Sequence, residues 1–136
     1  MVGLIVTDGN LSGDGRHLTV TSTDTELLDS VRRCLGLTAA IRPCTVGGRC
    51  YRVQWGDRSF YDWLLTVGLM PAKSLRLAAI AVPDPVLRDF LRGCIDGDGS
   101  IVVYRDRSNA HKNPKYVYDR LWVSLVSASP CFLEWL

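Results

Sequence analysis

Two spacings of apolar residues run along the chain and divide it into helices and strands. Residues 1–7 are almost wholly apolar and stop at Asp8-Gly9, which predicts the closing turns of a helix. "HLTVTS" (17–22) alternates and is rich in β-branched residues, so it predicts a strand. "STDTELLDSVRRCLGL" predicts a helix with a cap at Thr23 or Asp24, an apolar stripe of Leu27, Leu28, Val31 and Leu35, late arginines and Gly36 as its stop. "AAIRPCTVGGRCYRVQWGD" places Gly47 and Gly48 between two extended runs, the mark of a hairpin. In its second run Tyr51, Val53 and Trp55 fall on one face and Arg52 and Gln54 on the other.

The remainder follows the same grammar. Residues 59–69 predict a helix, and "DPVLRDFLRGCID" from 84 predicts another, with Pro85 as its first residue behind an Asp84 cap. "SIVVYRDR" and "RLWVSLVS" predict strands around the polar stretch "SNAHKNPK", and "SPCFLEWL" opens a last helix with proline in its first turn. The order repeats. "LTVTSTDTELLDSV" and "VSLVSASPCFLEWL" align without a gap, and each follows an apolar helix that ends in Asp-Gly, at Asp8 and at Asp98. The expectation is an α+β fold built from a duplicated αββαββα unit, residues 1–83 and 84–136, with the second copy incomplete.

Those two helix ends pose an electrostatic problem. A helix C-terminus carries about half a negative charge, so an aspartate there costs roughly 0.3–1 kcal/mol. Two such ends packed side by side call for a cation between them, and a hard divalent ion with oxygen ligands, such as Mg²⁺, fits. Gly3 and Gly93 stand at matching places before the two acids, and glycine inside a helix costs about 1 kcal/mol relative to alanine. Close approach of two backbones is a reason for both, and Gly9 and Gly99 suit left-handed caps. "DGDGSI" resembles the middle of an EF-hand loop, but its first and twelfth positions would be Cys94 and Arg105, which excludes calcium coordination of that type.

Composition narrows the classes further. A chain of 136 residues, 47% hydrophobic with four tryptophans, is long enough for a sizeable core and is not disordered. A net charge of +2 is no argument for nucleic acid by itself. Five cysteines without a C-x-x-C pair, and two scattered histidines, make a poor zinc site and suggest reduced, mostly buried thiols. The N-terminus has no signal-peptide pattern and no apolar run reaches the roughly 20 residues of a membrane span. A cytoplasmic (nucleoid-associated) or organellar protein, not a secreted one, is expected.

"MVGLIVTDG" (1–9) and "LRGCIDGDG" (91–99) resemble the paired motifs of the LAGLIDADG homing endonucleases. The second matches at Gly93, Ile95, Asp96, Asp98 and Gly99. The first departs at Val6 but keeps the final acid, Asp8. "GLMPAKS" (68–74) resembles the basic element that precedes the second motif. The resemblance implies a monomer of two pseudo-symmetric halves that cuts both strands of a long DNA site by metal-assisted hydrolysis. By that likeness Asp8 and Asp98 bind Mg²⁺ or another divalent cation, with the carbonyls of Thr7 and Gly97 as further ligands. Lys73 would stabilise charge growing on the phosphate.

The same resemblance implies double-stranded DNA as partner, held on a saddle of β-strands. The alternation of the strands supplies what such a surface needs, one core face and one polar face. Arg52 and Gln54 suit base edges, with Thr19 and Thr21 on the matching face of the earlier strand. In the second half Arg105 and Arg107 alternate likewise, Arg120 lies on the return strand, and the loop with Lys112 and Lys115 is basic enough to follow phosphates. By analogy with the first repeat, roughly another 50 residues would complete the second. Its open sheet is expected to expose Val123, Leu125 and Trp135 and to favour dimerisation, swapping or a completing segment. Two alternatives stand: a DNA- or RNA-binding relative without cleavage, of maturase or regulator type, and a fragment of an intron- or intein-encoded enzyme.

Overall fold

Thirteen short elements arise from these patterns in a computed structural model that describes residues 1–44 and 49–136. In order they are α1 (Val2–Asp8), β1 (Gly9–Leu11), β2 (His17–Ser22), α2 (Thr25–Leu35), β3 (Arg42–Pro43), β4 (Tyr51–Gly56) and α3 (Arg58–Thr66). Two 3-10 turns follow, Lys73–Leu75 and Asp84–Val86, then α4 (Leu87–Asp98), β5 (Gly99–Asp106), β6 (Tyr118–Leu125) and α5 (Pro130–Trp135). The strands flanking Gly47 and Gly48 do pair, antiparallel, while the two glycines themselves lie outside the described residues. Among the described residues no helix is long and apolar enough to cross a membrane.

The first sheet has the order β1-β2-β4-β3, all antiparallel. One face is core: Leu11, Leu18, Val20, Val53 and Trp55 are buried against Leu28 and Val31 of α2 and Tyr61 and Leu64 of α3. Asp24 caps α2 by accepting from the amides of Glu26 and Leu27, and Gly36 ends it in the left-handed region. Asp57 caps α3 through the amide of Phe60, and the Tyr61 hydroxyl donates to the Ser12 carbonyl at 2.6 Å. The first turn expected at Asp84 is instead a 3-10 turn over Asp84–Val86, and Asp84 makes no side-chain cap there.

The second sheet is the hairpin β5–β6, and its register repeats the first. Gly9 opposes Val20 as Gly99 opposes Leu125, Asn10 opposes Thr19 as Ser100 opposes Ser124, and Leu11 opposes Leu18 as Ile101 opposes Val123. Over these strand positions the gap-free alignment read from sequence is a structural equivalence. The coverage is not repeated. Val103, on the face equivalent to the buried face of β1 and β2, is 72% exposed, and Ile101, Leu121 and Val123 beside it are exposed too. Leu125 and Trp135, expected to be bare, pack onto the core instead. The reason is α5, which buries Phe132 and sets Trp135 edge-on to Phe90 of α4 at 5.9 Å between ring centroids.

The cysteines also differ from expectation. Cys44 and Cys50 are joined in a disulfide that closes the β3–β4 hairpin, with Cα atoms 5.5 Å apart. Cys34 and Cys131 are exposed, so only Cys94 is a buried thiol, and burial pushes it up to about 11. Spacing could not disclose the pair, because the bridge is set by strand pairing and not by a motif.

Candidate functional site

Helices α1 and α4 pack against each other so closely that their glycines are obligatory. A Cβ on Gly3 would overlap the Phe90 carbonyl oxygen, and one on Gly93 would stand 2.9 Å from the Leu4 amide nitrogen. A third contact was not foreseen: a Cβ on Gly97 would run into the Thr7 hydroxyl, which is turned back onto the Leu4 carbonyl at 3.0 Å. Gly9 and Gly99, by contrast, are extended and not left-handed. They are needed because a Cβ at either would strike the helix turn behind it, at Ile5 and at Ile95.

The close packing delivers Asp8 and Asp98 to the same end of the helix pair. Burial, and after it the charge of Asp98, raise the Asp8 carboxyl above its ordinary value of 3.8, while Lys73 opposes the rise. Lys73 is only 7% exposed, and its Nζ donates to the Thr7 carbonyl at 3.1 Å. Burial lowers its pKa, and Asp98 and Asp8, in that order, pull it back up. Two carboxylates, a buried ammonium and one carbonyl thus share a small neighbourhood. It opens through a hollow of about 160 Å³ lined by Thr7, Lys73, Asp98 and Ser127.

This donor set suits a hard divalent cation. Among the described residues no three of His, Cys, Asp and Glu converge, so any metal here would rest on the two aspartates, main-chain oxygens and water. That is the coordination magnesium tolerates. A cation there would offset the burial and the Asp98 charge that together raise the Asp8 carboxyl. The Thr7 carbonyl, a ligand implied by the family resemblance, is already engaged by Lys73 and has one lone pair left. The two halves are unequal: Asp8 is half-buried, whereas Asp98 is exposed.

The polar face of the first sheet gathers the residues singled out from sequence. Thr19 opposes Gln54, and Thr21 opposes Arg52. The ladder adds three more on the same face, Asn10 beside Thr19, Arg42 beside Arg52, and His17 at the start of β2. Sequence reading missed these because β1 and β3 are too short to show alternation, and His17 opens its strand. His17, Arg42, Arg52 and Gln54 line a hollow of about 400 Å³.

The second hairpin corrects one expectation. Arg105 opposes Asp119 and Arg120 opposes Tyr104, so Arg105 and Arg120 lie on opposite faces of the hairpin and cannot serve one surface. Arg105 shares the face of Ile101 and Val103, the one equivalent to the core side of the first sheet. Arg120 shares the face of Ser100, Ser124 and Trp122, equivalent to Asn10, Thr19 and His17. Each is paired: Arg105 Nε donates to Asp119 at 3.0 Å and Arg120 Nε to Asp106 at 2.6 Å. Arg107, Lys112 and Lys115 are exposed in the loop that joins the strands, without an ion-pair partner among the described residues.

No protein-family model and no curated protein sequence matches the chain. Solved structures do. A double lysine-to-alanine mutant of I-SmaMI superposes over 91% of this chain with a TM-score of 0.51 at 15% sequence identity. The meganuclease I-SmaMI bound to an uncleaveable DNA with a TTCT central four superposes over 91% of this chain with the same TM-score at 13% identity. In both cases this chain spans 65% of the neighbour's length. At such identities the likeness speaks for architecture: the α+β arrangement of two helix-led antiparallel sheets is the homing-endonuclease fold.

Proposed function

We propose that the chain is a DNA endonuclease of the LAGLIDADG type, binding duplex DNA across its two sheets and hydrolysing phosphodiesters at the junction of α1 and α4. The observation that carries this reading is the convergence of Asp8, Asp98 and the buried Lys73 at the paired helix ends. A divalent cation held by Asp8 and Asp98, with main-chain oxygens of Thr7 and Gly97 nearby, would supply positive charge where the phosphate accumulates negative charge. The Nζ of Lys73 is fixed by the Thr7 carbonyl and would meet the phosphate from the protein side. Thr19, Thr21, Arg52 and Gln54 face the groove in two ladder rows, and Arg107, Lys112 and Lys115 follow the backbone. The meganuclease neighbour bound to DNA supports the partner, and the two unlike halves make the cut on each strand a separate question.

A second reading, DNA binding without cleavage, draws on the exposure of Asp98 and the two-stranded second sheet. One experiment separates the two. A randomised duplex library is incubated with the purified chain and Mg²⁺, beside Asp98→Asn. Discrete sites cut only by the wild type support the nuclease, retention of sites without cutting supports the binder, and neither result would refute both.

A further inference from the structure

Asp14, in the turn before β2, accepts three hydrogen bonds from the two residues that lead into and open that strand. Its Oδ1 accepts the amides of Arg16 at 3.2 Å and His17 at 3.0 Å, and its Oδ2 meets Nδ1 of the His17 ring. An ionised carboxylate only accepts, so Nδ1 is the ring nitrogen that donates to it, and whenever the ring carries a single proton Nε2 is the acceptor. Asp14 stays ionised because these bonds, that of the His17 side chain foremost, hold its carboxyl down at about 2.

The ring is also aimed. Its Cδ2–Nε2 edge lies over Gly56 of β4, the ladder partner of His17, where a Cβ would stand 3.4 Å from Nε2. Both His17 and Gly56 line the 400 Å³ hollow whose other polar side chains are Arg42, Arg52 and Gln54. Neither arginine has an ion-pair partner among the described residues. A histidine acceptor therefore sits in a cleft otherwise rich in donors, on the polar face of the sheet.

We propose that His17 is a base-reading residue of the first half, its Nε2 accepting from the exocyclic amino group of an adenine or cytosine in the major groove, and that Asp14 is the positioning residue that fixes this tautomer. The inference rests on the reading of the chain as a DNA-binding protein. It goes beyond it by naming an unforeseen contact and its chemistry, since N6 of adenine and N4 of cytosine are the amino donors of that groove.

The test is selection of a randomised duplex library by the full chain at about pH 8, where an ordinary imidazole is neutral, followed by counting bases at each position. Wild type is expected to enrich an amino-bearing base at one position of one half-site. His17→Ala flattens that position alone, losing on the order of five- to tenfold in preference. Asp14→Asn keeps an oxygen for the two backbone amides but turns an N–H toward Nδ1. That reverses the tautomer and moves the preference to guanine or thymine, whose O6 and O4 accept. A merely structural role would not produce this switch. Unchanged preferences in both variants, or a uniform loss of affinity at all sequences, would overturn the inference while leaving DNA binding intact. A wild type that retains duplex without enriching any base would overturn the inference alone, and one that retains no duplex would remove the DNA-binding reading with it.

Discussion

Lys73 donates its Nζ hydrogen bond to the main-chain carbonyl of Thr7, 66 positions earlier in the chain, one residue before the first aspartate. The bond ties the segment after α3 to the end of α1 and holds a nearly buried ammonium beside two carboxylates. Replacing it with a similar apolar side chain has two opposed effects. Lys73→Met relieves the desolvation of a charge, and it leaves the Thr7 carbonyl without its donor, a loss of about 1–3 kcal/mol if nothing replaced it. The adjacent hollow of about 160 Å³ is polar enough for water to take over that bond. The melting temperature is therefore expected to stay level or rise, while single-turnover cleavage falls roughly 100-fold or more. A variant that unfolds would show Lys73 to be structural, and one that still cuts at the wild-type rate would remove it from the cleavage site.

Asp8 carries a stability signature of its own. Its folded pKa is raised, first by burial and then by Asp98, so folding favours the protonated form. The stability this group contributes is complete below its unfolded pKa and is lost as pH rises through the folded value. At neutral pH the charged carboxylate is thus a cost that Asp8→Asn removes. We expect the variant to melt a few degrees higher than wild type at pH 7, with the gain vanishing near pH 3–4, where the native carboxyl is protonated as well. Mg²⁺ should raise the melting point of wild type and not of the variant. Differential scanning calorimetry across this pH range, with and without Mg²⁺, decides both points; equal melting at pH 7 would remove the carboxylate pair as an electrostatic unit.

The helix pair makes a sharper structural prediction at Gly97. A methyl group there meets the Thr7 hydroxyl and reaches 3.3 Å from Oδ2 of Asp8, whereas one at Gly13 meets nothing within 4 Å. Gly97→Ala should cost about 1–3 kcal/mol by forcing α1 and α4 apart, and should weaken Mg²⁺ binding with it. Gly13→Ala serves as the control and should change stability by less than about 1 kcal/mol. Urea unfolding of the two variants side by side measures the difference. Equal values would mean that the interhelical contact yields freely.

Much of this architecture was legible because it repeats. Asp8 and Asp98, Gly3 and Gly93, and the strand of His17–Ser22 matched to its later counterpart all declare themselves as a duplication; the register repeats over the strands, and Gly3 and Gly93 meet across the helix pair. Lys73 was found through its motif, but nothing in its neighbourhood of sequence announces that it would be buried against Thr7. Asn10, His17 and Arg42 escaped because alternation needs several residues to be seen, and their strands offer three residues, a first position and two residues. The Cys44–Cys50 bridge escaped because only the folded hairpin brings those two together. Arg105 and Arg120 were grouped by charge. A one-residue difference in strand parity, which the pairing alone reveals, sends them to opposite faces.

That parity yields the last prediction. Arg120 lies on the face equivalent to Thr19 and Asn10, and Arg105 on the face equivalent to Leu11 and Leu18. Both are exposed and paired with an aspartate, so neither substitution should measurably change stability. Their effects on DNA should separate. Arg120→Ala is expected to weaken binding several-fold and to make the salt dependence shallower by about one unit of slope, as loss of one phosphate or base contact does. Arg105→Ala should leave both quantities as they are. Asp106→Asn adds the converse: it frees Arg120 from its carboxylate partner, so DNA should bind more tightly than to wild type, and most clearly at low salt. Binding isotherms for the three variants between about 50 and 200 mM salt read all of this from one series. If Arg105→Ala weakens binding as much as Arg120→Ala, the second hairpin presents the other face to DNA, or both, and the equivalence of the two sheets ends at their register.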